Sequence, residues 1–415
     1  MSSYQPVRGT HDLLPDAYRR HKWVTDTACE IAERYGFDEM IPPVFEFTPV
    51  FARTMGETSD VVSKEMYSFS DRSGEEEITL RPEFTAGICR AFVSNGLYDH
   101  APFKVFARGP LFRYERPQKG RQRQFHQIDT EILGVPGPQA DIEVLAVGHH
   151  ILESLGIVED CKLLINTLGD PKSRAQYREV LIAHLEPNKS GLSDDSQERI
   201  YRNPMRIFDS KSEHDRKILA DAPLLKDHLN DASKSFFDEV CEGLTRIGIP
   251  FTLEPSLVRG LDYYTHTAFE FVTETLGAQG AVIAGGRYDG LIEQLGGRPT
   301  PGIGWAGGVE RLAMMAGDAK ARRRPIAIVP LGADAQAKAL VIAHDLRKTG
   351  HMVEMGYSGN MKRRLARANK ANARAALLLG DDELAKGVAT VRDMESGEQT
   401  EASLDYLSEH LDQYR

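Results

Sequence analysis

The stretch from Phe112 to Gly134 constrains this chain more than any other. Phe112 and Tyr114 alternate with Arg113 and Glu115, Pro117 and Gly120 punctuate a polar tip, and His126, Ile128, Thr130 and Ile132 then recur at every second position. A period of two interrupted by proline and glycine predicts two antiparallel strands joined in a hairpin. The alternate positions put Gln127, Asp129 and Glu131 on the other face, and an antiparallel partner can bring Arg113 and Glu115 there as well. Burying such groups unpaired costs on the order of several kcal/mol, so this face predicts a site for a polar, charged ligand. The tip adds the cations Arg116, Lys119, Arg121 and Arg123, which suit the phosphates of a nucleotide or of RNA.

At 415 residues the chain exceeds one ordinary domain and predicts two or three. Its net charge of −10 disfavours non-specific binding to nucleic acid, but the charge is unevenly spread. Between Arg322 and Arg374 twelve Lys or Arg face three acids, which makes that segment a candidate for a polyanion. The four cysteines, at 29, 89, 161 and 241, form no Cys-x-x-Cys pair, so neither a zinc site nor a disulfide framework is expected. Met1 to Thr10 lacks an apolar run and nothing approaches the roughly 20 apolar residues of a membrane helix, so a soluble, cytoplasmic protein with no membrane partner is expected.

Along the chain, Val24, Ala28, Ile31 and Tyr35 recur at helical spacing and Gly36 caps that helix. Pro42 and Pro43 bar the extended segment Phe37 to Phe47 from the middle of a sheet and send it to an edge or interface. Ile78 to Thr85 reads as a strand ending at Pro82, with a helix beginning near Glu83 or Thr85. Glu83 there could receive an ammonium group or simply complement the helix dipole. Residues 170–248 turn helical and charged and read as an insertion with no constellation tied to chemistry. Arg259 beside Gly260 offers a rigid fork where backbone can approach a phosphate. Val282 to Gly290 reads as a strand and a Gly-Gly turn that aims Arg287 and Tyr288. Glycines at 302, 304, 307 and 308 lead into a helix holding Arg311, leaving room for a flat base that an arginine can cover. After the linker Arg322 to Pro325, strands and helices alternate as in a small α/β domain. Its helix from Asn360 to Asn372 carries Lys362, Arg363, Arg364, Arg367 and Lys370 around most of its circumference and is a candidate for RNA.

Phe-Arg-x-Glu, a basic loop, then Arg-x-Arg-Gln-Phe-His-Gln resembles motif 2 of class II aminoacyl-tRNA synthetases, in the form seen in the histidyl-tRNA synthetase family. Val258 to Thr265 and Val282 to Gly290 resemble its two histidine-specific segments, the stretch around Pro42 resembles motif 1, and Gly302 to Leu312 resembles motif 3. The resemblance spans almost the whole chain. It implies an α+β fold, with a class II antiparallel-sheet catalytic domain over 1–324 that carries a helical insertion, followed by an α/β anticodon-binding domain over 325–415, in a homodimer. The implied reaction joins L-histidine to ATP as histidyl-adenylate and passes it to the 3′ end of tRNA(His), with Mg2+ accompanying ATP. The catalytic residues implied are Arg113 and Arg259, the latter in the place that other class II enzymes give to a metal ion. Arg113, Glu115, Arg121, Phe125 and Arg311 match positions that hold ATP. Glu83, Thr85 and Gln127 match contacts to the α-amino group; Glu131, Tyr263, Tyr264 and Tyr288 match the rest of the histidine site. Lys362, Arg363, Arg364 and Arg367 are the expected tRNA contacts. No metal ligands are implied, and Phe84 is larger than the family pattern leads one to expect. A regulatory subunit of ATP phosphoribosyltransferase resembles the same catalytic domain, but the basic α/β segment and the set Arg113, Arg259, Arg311 favour the synthetase.

Overall fold

The computed structural model describes residues 4–56, 61–118, 120–258, 263–277, 280–317 and 322–414. The chain forms two compact units, Met1–Ala319 and Lys320–Arg415.

The first unit is built on an eight-stranded sheet. Asp38–Glu39, Phe103–Phe112, Gln124–Leu133, Gly302–Gly308, Ala281–Arg287, Thr265–Val272, Lys162–Thr167 and Thr252–Leu253 lie side by side in that order. All pairs are antiparallel except the two at the edges. Phe103–Phe112 and Gln124–Leu133 are the strands of the predicted hairpin, paired from Phe103↔Leu133 to Phe112↔Gln124. Its two faces part as the period of two requires. Ile128 and Ile132 join Phe106, Phe269, Phe271, Ile283 and Trp305 in a core roofed by the helices Pro15–Arg34, Gln139–Ser154 and Asp231–Arg246.

On the other face the register matters more than the residues themselves. Gln127, Asp129 and Glu131 stand opposite Gly109, Ala107 and Val105 on one neighbour. On the other neighbour they stand opposite Gly308, Ala306 and Gly304. Cross-strand partners share a face, so a row of long polar side chains runs between two rows of small ones and a trough results. The helix Thr85–Ser94 closes one side of it, its Ile88 and Phe92 packed with Val105, Leu111 and Leu133. Phe84 is fully buried in this core, with the Arg81 guanidinium 4.5 Å from its ring centroid.

Gly285 and Gly286 lie within the strand Ala281–Arg287 and do not form the expected turn. A Cβ on Gly285 would stand 2.1 Å from the Gly304 carbonyl oxygen, and one on Gly286 2.6 Å from that of Thr267. These glycines answer to close strand packing. Arg287, expected to point at a ligand, is wholly buried and gives its guanidinium to Asp141 and Asp289 and to the carbonyls of Val135 and Gly137.

The proline-bearing segment sits at edges, as expected. Asp38–Glu39 borders the large sheet, and Phe45–Phe47 borders a three-stranded sheet with Glu77–Leu80 and Tyr67–Ser70. Of the stretch 170–248 read as an insertion, the helices Pro171–Leu185, Asp194–Arg202 and Glu213–Leu219 pack Tyr177, Leu181, Leu185, Ile200 and Ile207 into the same buried cluster as the helix Thr85–Ser94, whereas Asp231–Arg246 belongs to the roof of the large sheet.

In the second unit Val353–Met355, Ile326–Pro330 and Ala375–Leu379 are parallel, and Val388–Asp393 and Gln399–Ser403 continue antiparallel. Helices Ala333–Lys348 and Met361–Lys370 fall where alternation predicts them; the short helices Asp381–Lys386 and Leu407–Leu411 carry too few turns to show a period.

Candidate active site

The trough opens into a cavity of about 640 Å³. Two groups of side chains line it. In the first, Glu131 is the hub: its Oε1 accepts from Thr85 Oγ1 at 2.5 Å and its Oε2 from the Tyr288 hydroxyl. Glu131 itself stands behind the cavity wall, which is formed here by Glu83, Thr85, Gln127, Asp129, Tyr263, Tyr264 and Tyr288. The three tyrosines pack ring to ring, with centroids 4.6 Å (Tyr263–Tyr264) and 5.8 Å (Tyr263–Tyr288) apart. Glu83 Oε1 accepts from the Ala86 N–H at 2.7 Å, so Glu83 caps the helix and borders the cavity at once.

Burial dominates the electrostatics of this group. It pushes the Glu131 carboxyl up to about 8, against the Thr85 and Tyr288 hydrogen bonds and with some help from the charge of Glu83. Burial also raises Glu83, and raises Asp129 well above the usual carboxylate range, where the neighbouring charges of Glu131 and Glu83 add to it. The phenols of Tyr263 and Tyr288 are driven up by burial first and by nearby acidic groups second. Three buried carboxyls thus crowd one wall, and the arginines nearest them are Arg113 and Arg81.

The second group is cationic and aromatic. Arg113 is fixed through Nε to the Pro82 carbonyl at 2.9 Å and stands 5.3 Å over the Phe125 ring. Arg121 pairs with Glu115 at 3.1 Å. Arg311 leans over Gly120 and Gly308, and its Nε and Nη2 are buried with no hydrogen-bond partner. Burial lowers its pKa, and Arg121 lowers it further. A buried, unsatisfied guanidinium is costly and marks a place kept for an anion. The floor between the groups is Gly304, Ala306 and Gly308 with Val282 and Ala284.

Some expectations meet other geometry. Arg259 and Gly260 lie outside the described residues, as does Lys119. Arg123 is not a free cation of the tip: its backbone N–H donates to the Gly9 carbonyl at 2.7 Å, and its guanidinium covers the Tyr114 ring at 3.8 Å. In the second unit Lys362, Arg363 and Arg367 are exposed on the basic helix. Arg364 is 9 % exposed and donates to the carbonyls of Gly359 and Pro330, so it anchors the helix to its sheet and is not an available RNA contact.

Sequence reasoning missed three features. Arg206, Asp209 and Lys211 reach the cavity wall from the insertion; the charge cluster Arg206 to Lys211 was the available signal. Asp129 was seen on the polar face but given no role. The third is a cluster: donor atoms of His21, His126 and Glu310 lie within 4.8 Å of one another. Glu310 accepts from the His126 backbone N–H at 3.0 Å and meets its ring Nδ1 at 2.8 Å, which ties the helix after Gly308 to the hairpin. Burial first, and His126 second, depress His21 to about 4, leaving it neutral.

The sheet, its hairpin and the strand-to-helix turn before Arg311 are those of a class II aminoacyl-tRNA synthetase catalytic domain. Residues 9–312 match the family model for histidyl-tRNA synthetase and residues 325–414 that for an anticodon-binding domain. The chain is 57 % identical over 412 residues to histidine–tRNA ligase of Rhodospirillum rubrum, covering 99 % of each. It is 54 % identical over 411 residues to the corresponding ligase of Gluconacetobacter diazotrophicus, again covering 99 % of each. An apo histidyl-tRNA synthetase from S. aureus superposes with a TM-score of 0.83 at 34 % identity, over 98 % of this chain and 99 % of that one. The chain belongs to the histidyl-tRNA synthetase family. A chain described as an ATP phosphoribosyltransferase regulatory subunit/histidyl-tRNA synthetase from Bacillus halodurans shares the fold at 20 % identity and a TM-score of 0.67, which bears on the fold alone.

Proposed function

We propose that the chain activates L-histidine with ATP, releasing pyrophosphate, and transfers the histidyl group to the 3′-terminal adenosine of tRNA(His). The observation that carries the reading is the division of one cavity into a hydrogen-bonded carboxyl and tyrosine group and an arginine group. The first suits a small ligand with an ammonium group and a polar ring. The second suits a polyphosphate.

Attack of the histidine carboxylate on the α-phosphate brings two anions together, so cations must neutralise the developing charge while the reactants stay in line. Arg113, fixed by Pro82 and close enough to Asp129 and Glu83 to bear on their charge, takes that task, and Arg259 shares it by its family position. Arg311 and Arg121 hold the outer phosphates and the nucleotide, Phe125 offers the base a stacking face, and Glu115 completes the ATP end. Glu83, Thr85 and Gln127 receive the α-ammonium group. Tyr263, Tyr264 and Tyr288, with Glu131 behind them, bound the imidazole. Mg2+ fits as the companion of ATP: Glu115 and Glu270 are carboxylates that line the same cavity as Arg121 and Arg311, and the ion would neutralise outer phosphate charge.

The second unit, Lys320–Arg415, binds the anticodon arm through Lys362, Arg363 and Arg367. A homodimer is supported by Ile41, Val44, Phe45, Phe47 and Phe69, exposed apolar side chains on and beside the three-stranded sheet. Among the described residues no helix is long and apolar enough to cross a membrane, and the reaction belongs in the cytoplasm with its tRNA. The test is ATP–pyrophosphate exchange with each amino acid in turn, followed by charging of tRNA. Exchange that depends on histidine is expected; exchange with another amino acid, or none, overturns the reading.

A further inference from the structure

The row Gln127, Asp129, Glu131 contains one member to which neither the family pattern nor the hydrogen bonding gives a task. Glu131 is held by Thr85 and Tyr288. Asp129 is 1 % exposed, lines the cavity, and has an Oδ1 buried with no hydrogen-bond partner. Its cross-strand neighbours, Ala107 and Ala306, are too small to cover it. The groups that bear on its charge are Glu131 on its own strand, Glu83 at the start of the adjoining helix, and the arginines 81 and 113. Both arginines are tethered elsewhere, Arg81 through Nε to the Pro110 carbonyl at 3.0 Å and Arg113 through Nε to that of Pro82. The wall therefore offers a carboxyl oxygen that the protein leaves unbonded, and desolvating it is offset only by a donor that arrives with the ligand, whose positive charge also favours the ionised form.

We propose that Asp129 is a further positioning residue of the amino-acid site, its carboxylate receiving the substrate α-ammonium group together with Glu83. The inference rests on the reading of histidine as substrate. An ammonium carries three N–H donors in a compact charge. One oxygen of Glu83 is already engaged by Ala86, so a second carboxylate gives the ammonium a full set of acceptors and offsets its charge. The histidine carboxylate is then left to face Arg113, the orientation that the attack on phosphorus needs. Phe84 also acquires a part: it supports Arg81, whose positive charge bears on Asp129.

Three ligands separate this from a structural role. L-Histidine carries the ring, the ammonium and the carboxylate; L-histidinol lacks the carboxylate; imidazole-4-propionate lacks the ammonium. Their binding to the wild type, Asp129→Asn and Asp129→Ala is measured by calorimetry on the full chain. Histidine and histidinol should weaken by about 10- to 100-fold in both variants, the worth of a charged hydrogen bond, while imidazole-4-propionate holds or tightens. The ratio of histidinol to imidazole-4-propionate affinity within one variant does not depend on how much of the sample is folded. Equal losses for all three ligands, or no loss for any, overturn the proposal. A wild type that shows no histidine-dependent exchange and binds none of the three overturns the substrate reading itself.

Discussion

The two ends of the cavity solve opposite problems. Around Glu131 the hub carboxyl is held by Thr85 and Tyr288, Ala86 holds one oxygen of Glu83 and the tyrosine rings pack on one another, while Gln127 Oε1 and Asp129 Oδ1 are left without a protein partner. Around Arg311 two guanidinium nitrogens, Nε and Nη2, are buried without partners, and Arg121 meets Glu115. The first end is a mould with two acceptors left open for a ligand's donors; the second holds open guanidinium donors, with Glu270 as the opposing charge, and suits an anion. Selectivity should therefore reside at one end and electrostatic work at the other.

The largest effect is expected from Glu131→Ala, which removes the hub of the mould. A buried polar pocket discriminates by on the order of 10⁴-fold because wrong ligands leave its groups unpaired. The preference for histidine over ring analogues in pyrophosphate exchange should collapse; normal activation of histidine by this variant would show that the network does not select. On the proposed roles of Arg113 and Arg259 at the charge-developing centre, Arg113→Ala and Arg259→Ala should each lower turnover by about 10² to 10³ with a smaller change in binding. Arg259→Lys should recover only part, since an ammonium keeps the charge and loses the planar fork. Wild-type exchange in Arg259→Ala would return that work to Arg113 alone.

The mould also has a pH signature. The unfolded chain releases the Glu131 proton near 4.5 and the folded, unliganded chain holds it to about 8. Unfolding thus releases a proton in that window, and wild-type stability should fall relative to Glu131→Gln by about 1.4 kcal/mol per pH unit between those values, then level off. Thermal melts of both proteins from pH 4 to pH 9 check it; parallel curves would mean that Glu131 is charged throughout. At the other end, Arg311→Ala should raise the KM for ATP by about 10- to 100-fold and leave that for histidine unchanged. Equal shifts in both would erase the division of labour. The smallest effect is expected farthest from the chemistry: replacing Lys362, Arg363 and Arg367 by Ala should flatten the dependence of tRNA affinity on salt by about 0.7 to 0.9 in log–log slope for each phosphate no longer neutralised, with exchange unaltered. Arg364→Ala should instead lower stability, being an anchor.

The mould was largely legible in the sequence because strand periodicity assigns Gln127, Asp129 and Glu131 to one face whatever they touch. The charges were harder. Arg287 and Arg364 look in sequence like candidate ligand residues, and nothing local distinguishes them from Arg311; the partner of Arg287, Asp141, lies 146 residues away, and those of Arg364 are backbone carbonyls that have no sequence signature. Gly285 and Gly286 misled for a related reason. Glycine satisfies a turn and a close strand approach equally well, and only the neighbouring strand, with its Gly304 carbonyl, decides which is needed. The trough itself could not be read at all, since it arises from registers that bring three separate strands together.

The pair Arg287–Asp141, fully enclosed between sheet and helix, has a consequence for how such a chain can change over time. Arg287 also meets Asp289 and the carbonyls of Val135 and Gly137. Removing Arg287 alone therefore strands Asp141 in a dry interior at a cost of about 3–5 kcal/mol, a large share of a domain's whole stability, and replacing both members by apolar residues still leaves two carbonyls without their donor. The heritable unit is larger than a pair: a descendant that has lost Arg287 should differ at Asp141, 146 residues away, and in the segment from Val135 to Gly137 as well.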